Sequence, residues 1–199
     1  SMLNSFGMGT KTGIQYPGEV TGKIHHYEDW GETERATISY GYGISSTLIQ
    51  LAQAYTVFAN DGVIKPISLF KEEGLVIGRR VIDKKTSHEM LQILESVVTE
   101  GTAPYAKVKG YRVAGKTGTT KKLDMNGGGY GKKYIGSFVG MAPASNPRFI
   151  LAVMIDEPTV DGYYGGVVAA PVFSSIMTEA LKIYSIPQDE IEFKNPKEQ

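Results

Sequence analysis

The chain has 199 residues, 41% of them hydrophobic, a length suited to one domain or a large piece of one. Its 21 basic and 21 acidic side chains cancel, so composition implies neither a nucleic-acid surface nor an acidic tail, and no apolar run reads as a membrane span. The absence of cysteine excludes a disulfide framework and a thiolate zinc site, and fits a cytoplasm and a Gram-negative periplasm equally. In chain order, Ser1-Met2 reads as a cleavage scar followed by a start residue, without the basic flank or apolar core of a signal peptide. Glycines at 7, 9, 13, 18, 22 and 31 predict loops and short turns, like the tail of something begun upstream. Thr47 and Gln50 form a capping box, and Leu48, Leu51, Tyr55 and Phe58 recur at helical spacing before Asn60-Asp61-Gly62, which predicts a helix over 47–60. Thr86 and Glu89 repeat the box, and Met90, Ile93, Leu94, Val97 and Val98 line a second helix up to Gly101. Branched and aromatic residues predict strands at Val108–Thr119, Tyr134–Met141 and Phe149–Ile155, the last two joined by the turn Pro143–Pro147. Pro171 opens a third helix carrying Val172, Phe173, Ile176, Met177, Ala180, Leu181 and Tyr184, and Pro187 closes it. The order helix, helix, sheet, helix predicts an α+β fold, an antiparallel sheet flanked by helices, over residues 1–190, with a charged, loose tail at 191–199.

Residues 110–120, GYRVAGKTGTT, hold two incompatible motifs. Gly110 to Thr117 spells G-x-x-x-x-G-K-T, a nucleotide phosphate loop, and the apolar run ending in Asp156-Glu157 mimics the strand that holds magnesium in such enzymes. That loop needs consecutive N–H groups around phosphate and a helix beginning at the Lys-Thr. Here Thr117–Gly129 is Gly-rich with no apolar stripe, and Tyr111–Ala114 suits extended pairing. Lys116 to Thr119 spells K-T-G-T, a signature box of serine penicillin-recognising enzymes, and asks only for a strand. On a strand Thr117 and Thr119 share one side and offer two hydroxyls to a substrate carboxylate. Lys116 supplies a fixed positive charge for that anion and for proton traffic at a nearby nucleophile. Gly118 leaves the strand bare, so an extended peptide can pair along it. A second K-T-G, Lys11-Thr12-Gly13, lies in a Gly-rich loop, where a loop role is the plainer reading.

Around that strand stand Glu34–Gly43 (ERATISYGYG), Gln50–Tyr55, Phe58–Gly62, Pro66, Ser137–Pro143, Ile155–Pro158, Tyr163–Gly166 and Ala170–Phe173. In this order the motifs resemble the class B penicillin-binding proteins over nearly the whole chain, closest to the division-specific penicillin-binding protein 3 type. The resemblance implies the C-terminal part of a transpeptidase domain with a serine β-lactamase-like fold, from a D,D-transpeptidase that cross-links septal peptidoglycan through an acyl-serine. It implies Lys116 as a catalytic residue and Thr117, Gly118, Thr119, Tyr163 and Tyr164 as substrate-binding residues, with no metal or cofactor. Its implied partners are peptidoglycan stem peptides, β-lactams and divisome membrane proteins, at the periplasmic face of the inner membrane to which the full-length protein is anchored. The family mechanism also needs a serine with a lysine one helical turn later, and a Ser-x-Asn box. Ser68-Leu-Phe-Lys71 fits the first pattern but follows Pro66 in an extended stretch, and no Ser-x-Asn occurs. The family's order puts both boxes upstream of residue 1, so the isolated chain is expected neither to acylate nor to cross-link, and to expose apolar helix faces. A P-loop NTPase and a non-catalytic partner-binding module are the other readings.

Five further clusters remain to be read. Tyr163 and Tyr164 form either a pocket wall or ordinary packing. His25-His26 with Glu28 and Asp29 reads as surface, because adjacent side chains on a strand diverge and no third spaced ligand follows. Lys121-Lys122 and Lys132-Lys133 read as a solvated hairpin edge, with anion steering as the alternative, and Asp156-Glu157 as a strand end. Glu34-Arg35, ahead of the Tyr-Gly-Tyr-Gly turn, reads either as a buried pair that holds the loop or as an exposed pair that contributes little.

Overall fold

The computed structural model describes residues 2–123, 129–160 and 162–190, so the tail at 191–199 and residues 124–128 of the Gly-rich link lie outside the described residues. Contacts divide the chain into two compact units, Ser1–His88 and Glu89–Gln199.

In the first unit the glycine-broken sequence is not all loop. It forms helix α1 (Met2–Ser5), single turns at Tyr27–Asp29 and Ile38–Tyr40, and helix α2 (Glu32–Thr37). Helix α3 (Leu48–Ala59) has the expected capping box: Thr47 Oγ1 accepts from the Gln50 N–H at 3.2 Å, and Gln50 Oε1 accepts from the Thr47 N–H at 2.9 Å. Gln50 is fully buried, and its Nε2 donates to the carbonyls of Thr10 and Thr21, 2.7 Å each, so the cap residue also pins the preceding loops. Asp61 and Gly62, with φ of 52° and 89°, end the helix, and a Cβ on Gly62 would collide with the Ile82 carbonyl. The chain reverses through β1 (Val63–Ile64), paired antiparallel with β2 (Arg79–Arg80). Ser68-x-x-Lys71 lies between them outside any helix, as expected of a chance match.

Helix α4 (Lys84–Thr99) begins before the predicted Thr86-Glu89 box. Asp83 is the capping residue: its carboxylate accepts from the Thr86 N–H at 2.8 Å and from the Thr86 hydroxyl at 2.7 Å. A carboxylate accepts these donors and also favours the positive end of the helix, so Asp83 displaces Thr86 as the cap. Ser87, Leu94 and Val98 are the buried stripe, whereas Ile93, from the predicted face, is exposed.

The second unit is built on an antiparallel sheet of order β3-β4-β5: β3 (Ala114–Leu123), β4 (Tyr130–Ala142) and β5 (Phe149–Asp156). The first strand starts at Ala114 rather than Val108 and runs past Thr119. Gly110 takes φ +82° and the Tyr111 N–H returns to the Val108 carbonyl at 3.0 Å, making a tight turn. Val108 and Val113 are branched because they are buried, not because they extend the ladder. Helices α5 (Gly165–Val168) and α6 (Ala170–Ile183) follow β5. Phe138 meets Phe173 edge-on at 4.8 Å, and Ala170, Phe173, Met177 and Leu181 bury one face of α6, while Val172, Ile176 and Tyr184 of the predicted stripe are exposed, Tyr184 lying just past the helix end. A Cβ on Gly115 would lie 2.5 Å from the Phe138 ring, and one on Gly140 2.8 Å from it, so both glycines make room for this ring. After α6 the chain ties back: Tyr111 donates to the Ile186 carbonyl at 2.6 Å, and Asp189 accepts from the Arg112 and Ser145 N–H groups at 2.8 and 3.1 Å.

The architecture is the expected α+β one. One expectation from composition fails. The helical run Gly165–Ile183 has 19 residues of mean hydropathy 1.3, long and apolar enough to cross a bilayer. One face of it packs on this sheet through Ala170, Phe173, Met177 and Leu181, but only 33% of it is buried, and Val167, Val172, Ile176 and Ile183 are exposed, as the expectation of exposed apolar helix faces has it.

Candidate active site

Strand β3 is an edge strand: among the described residues only β4 pairs with it. The ladder sets Lys116 opposite Val139, Thr117 opposite Phe138, Gly118 opposite Ser137 and Thr119 opposite Gly136, so residues 116–119 are extended. No helix starts at Lys116, and the P-loop reading of Gly110–Thr117 falls.

Thr117 and Thr119 both face α5. Thr119 Oγ1 accepts from the Gly165 N–H at 3.2 Å, and a Cβ on Gly166 would lie 3.4 Å from the Thr117 methyl. Alternation starts the Lys116 side chain on the opposite face, yet Nζ comes back to the strand. It donates to the Thr117 carbonyl at 3.1 Å and to Thr117 Oγ1 at 3.4 Å. Thr102, on the turn after α4, puts its hydroxyl 2.9 Å from that of Thr117. An ammonium and two hydroxyls therefore converge beside an unpaired strand edge, a donor set suited to a carboxylate. The two strand threonines are not equivalent. One of the two acceptor sites of Thr119 is occupied by α5, which leaves its O–H and one lone pair.

The glycines explain how these groups come so close. A Cβ on Gly118 would lie 2.5 Å from Ser137 Oγ, so a side chain there would press on β4. A Cβ on Gly165 would collide with the Gly118 and Ser137 carbonyls, and one on Gly166 with the Thr102 carbonyl. Gly165-Gly166 thus seats the start of α5 directly on the strand pair and on the Thr102 turn.

Beyond Thr119 stand the tyrosines. Tyr163 stacks on Tyr134 at 3.9 Å and 13°, and its hydroxyl donates to that of Tyr164 at 3.4 Å. Lys121 Nζ lies 5.8 Å from the Tyr134 ring centroid. Tyr163 is partly buried in this stack and Tyr164 is exposed. Sequence reasoning missed Thr102, and it named Tyr134 only as a strand start and Lys121 only as a hairpin-edge lysine. Only the register, which sets Tyr134 opposite Lys121, and the fold of the turn after α4 bring them in.

Of the lysines flanking the β3–β4 link, Lys122 and Lys133 are ion-paired. Lys122 Nζ contacts Asp156 at 2.9 Å and Glu157 at 2.7 Å, and Lys133 Nζ contacts Glu157 at 2.6 Å. Hydrogen bonds from Lys122 and then Lys133 hold the Glu157 carboxyl below its ordinary value, and Glu157 and then Asp156 raise Lys122. Asp156 ends β5, as expected of a strand end. The Glu34-Arg35 pair does not form. Glu34 instead meets His25 Nδ1 at 3.1 Å, and Arg35 Nε donates to the Trp30 carbonyl at 3.2 Å, because neighbours on a helix point apart. Among the described residues no cluster of His, Asp or Glu could hold a metal.

An edge strand bearing Lys-Thr-Gly-Thr, backed by a glycine-seated helix pair, defines a penicillin-recognising transpeptidase type of domain. Residues 1–178 match the penicillin binding protein transpeptidase domain, and the chain belongs to that family. It is 43% identical over 184 residues, 92% of this chain and 46% of the relative, to the probable peptidoglycan D,D-transpeptidase PenA of Neisseria flavescens. The transpeptidase domain of Burkholderia pseudomallei penicillin-binding protein 3 superposes with TM-score 0.88 at 44% identity, covering 96% of this chain and 58% of that one. Mycobacterium tuberculosis penicillin-binding protein 3 in complex with ampicillin superposes with TM-score 0.87 at 32% identity, covering 96% of this chain and 47% of that one. The chain thus spans about half the length of these relatives.

Proposed function

We propose that this chain supplies the substrate-carboxylate and strand-pairing half of a peptidoglycan D,D-transpeptidase of the division-specific type, a β-lactam target. The observation that carries the reading is the Lys116 ammonium, 3.4 Å from the Thr117 hydroxyl on an unpaired strand edge. In this role Lys116 holds the ligand carboxylate electrostatically and polarises the acyl-transfer site. Thr117 and Thr119 donate their hydroxyl hydrogens to it, and Gly118 keeps the edge open so that the stem peptide adds as a strand. Tyr163 and Tyr164 wall the pocket beyond Thr119. The attacking serine belongs to a Ser-x-x-Lys helix, which works with a Ser-x-Asn loop; the one Ser-x-x-Lys match here, Ser68–Lys71, lies outside any helix and no Ser-x-Asn occurs, so we read residues 1–190 as the C-terminal portion of the domain. Septal stem peptides as substrate, divisome membrane proteins as partners and a membrane-anchored, periplasmic setting are further parts of this proposal and rest on the motif resemblance.

The test is to add benzylpenicillin to the isolated chain. The expected result is an unchanged protein mass together with shifts confined to the NMR signals of residues 116–119 and their neighbours, reduced by Lys116→Ala. A stoichiometric covalent adduct overturns the missing-nucleophile part of the reading. Shifts that ignore Lys116→Ala overturn the site.

A further inference from the structure

We infer that Thr102 is a positioning residue for this site, one that fixes Thr117 as a hydrogen-bond donor and so makes the edge strand select an anionic terminus over a neutral one. The inference rests on the proposed reading of β3 as the carboxylate-binding edge.

A threonine hydroxyl has one hydrogen to give and two lone pairs to fill. Free to rotate, it greets a carboxylate or a carboxamide with equal ease, donating to the one or accepting from the other. Thr117 Oγ1 is not free. Lys116 Nζ, which can only donate, takes one lone pair at 3.4 Å. The Thr102 hydroxyl lies 2.9 Å away, and either oxygen of that pair could be the donor. When an acceptor-only ligand arrives at the edge, the consistent arrangement runs in one direction: Thr102 donates to Thr117, and Thr117 donates to the ligand. Both lone pairs of Thr117 are then filled and its hydrogen points at the anion. A carboxamide presenting its N–H₂ finds no lone pair left on Thr117.

The fold holds Thr102 rigidly enough to do this. The Ala103 N–H donates to the Val97 carbonyl at 3.0 Å, closing the turn after α4, and Ala103 and Ala106 on its far side are fully buried. On the other side the Gly166 backbone lies so close to the Thr102 carbonyl that no Cβ fits between them. The hydroxyl is therefore set by buried neighbours although the residue itself is exposed. At Thr119 the Gly165 N–H fills one of the two lone pairs and, among the described residues, no second hydroxyl stands against the other, so its hydrogen is not directed in the same way. Thr117 is the hydroxyl that Thr102 governs.

The experiment titrates the protein with N-acetyl-D-alanyl-D-alanine and with its C-terminal amide, following the Thr117 methyl by NMR. The parent is expected to bind the acid more tightly than the amide. Thr102→Val, close in shape but without the hydroxyl, should shrink that preference about three- to tenfold, the usual worth of one hydrogen bond, and Thr102→Ser should restore it. A purely structural role for Thr102 would weaken both ligands alike, and that result overturns the inference. So does an unchanged acid-over-amide ratio in Thr102→Val, which leaves the carboxylate site itself standing. A parent without any preference for the acid sinks the carboxylate reading and this inference together. If Thr102→Val loses its dispersed methyl spectrum, Thr102→Ala is read in its place by the same ratios.

Discussion

Gln50 concentrates more structure in one side chain than any other residue of the first unit. Its carboxamide oxygen serves the Thr47 N–H, and its NH₂ serves two carbonyls from separate loop positions, Thr10 and Thr21. Replacing it by leucine keeps the volume and strands all three groups in a site from which water is excluded. Gln50→Leu should lose about 2–4 kcal/mol, less than the full sum because the loops relax toward water. Urea denaturation measures this as a fall in midpoint. Gln50→Glu gives a sharper test, because the second oxygen would then face two carbonyls. Its deficit should be larger at pH 7 than at pH 4, where a protonated acid can donate to one of them. An equal deficit at both pH values would mean that the pair of 2.7 Å contacts does not govern the loop.

At the level of elements, the seating of α5 on β3 and β4 depends on Gly165. A methyl there meets the Gly118 and Ser137 carbonyls, which the sheet cannot move without breaking ladder bonds. Gly165→Ala should therefore cost about 1–3 kcal/mol by overpacking and also lengthen the Gly165 N–H contact to Thr119. Thermal unfolding checks the first effect, and hydrogen exchange at Gly165, faster than in the parent, checks the second. This interface also marks the limit of what the sequence tells. The capping box at Thr47, the Phe173, Met177 and Leu181 part of the α6 stripe and the hairpin β4–β5 were legible because each is a local pattern, one side chain reading the next turn or the next strand. The start of α4 was misread because Thr86 and Asp83 both suit a cap, and only the backbone decides which one accepts. The start of β3 was misplaced because Val108 and Val113 are branched for burial rather than for pairing. Lys116 to Thr119 could be recognised as a strand motif, but Thr102 could not. Its part depends on Gly165-Gly166 bringing α5 onto the turn after α4, a contact between segments about sixty residues apart, and spacing along the chain carries no trace of it.

For the molecule as a whole, the resolved electrostatic shifts of its carboxyl groups all have one sign, and that sign sets how stability depends on pH. Glu19, Asp61, Asp83 and Glu157 all sit below their ordinary values, through hydrogen bonds from Thr12, from Lys84 and His88, from Thr86, and from Lys122 and Lys133 respectively. A carboxyl whose folded pKa is depressed binds fewer protons folded than unfolded. Its contribution is complete above the unfolded value and is lost as pH falls through the folded one. The loss should begin near the ordinary 4.5 of Glu19 and Glu157, continue through the 3.8 of Asp61 and Asp83, and finish below both. These pairs are exposed, so each contributes little alone and the acid limb reflects their sum. The urea midpoint should be flat from about pH 7 to pH 5 and fall steadily below that. Asp61→Asn, which suits the φ of 52° at that position, and Glu157→Gln should each lower the plateau slightly and flatten the limb in their own unit. A midpoint that holds constant down to pH 3, or rises on acidification, would show that groups buried neutral outweigh these four, and would reverse the sign argued here.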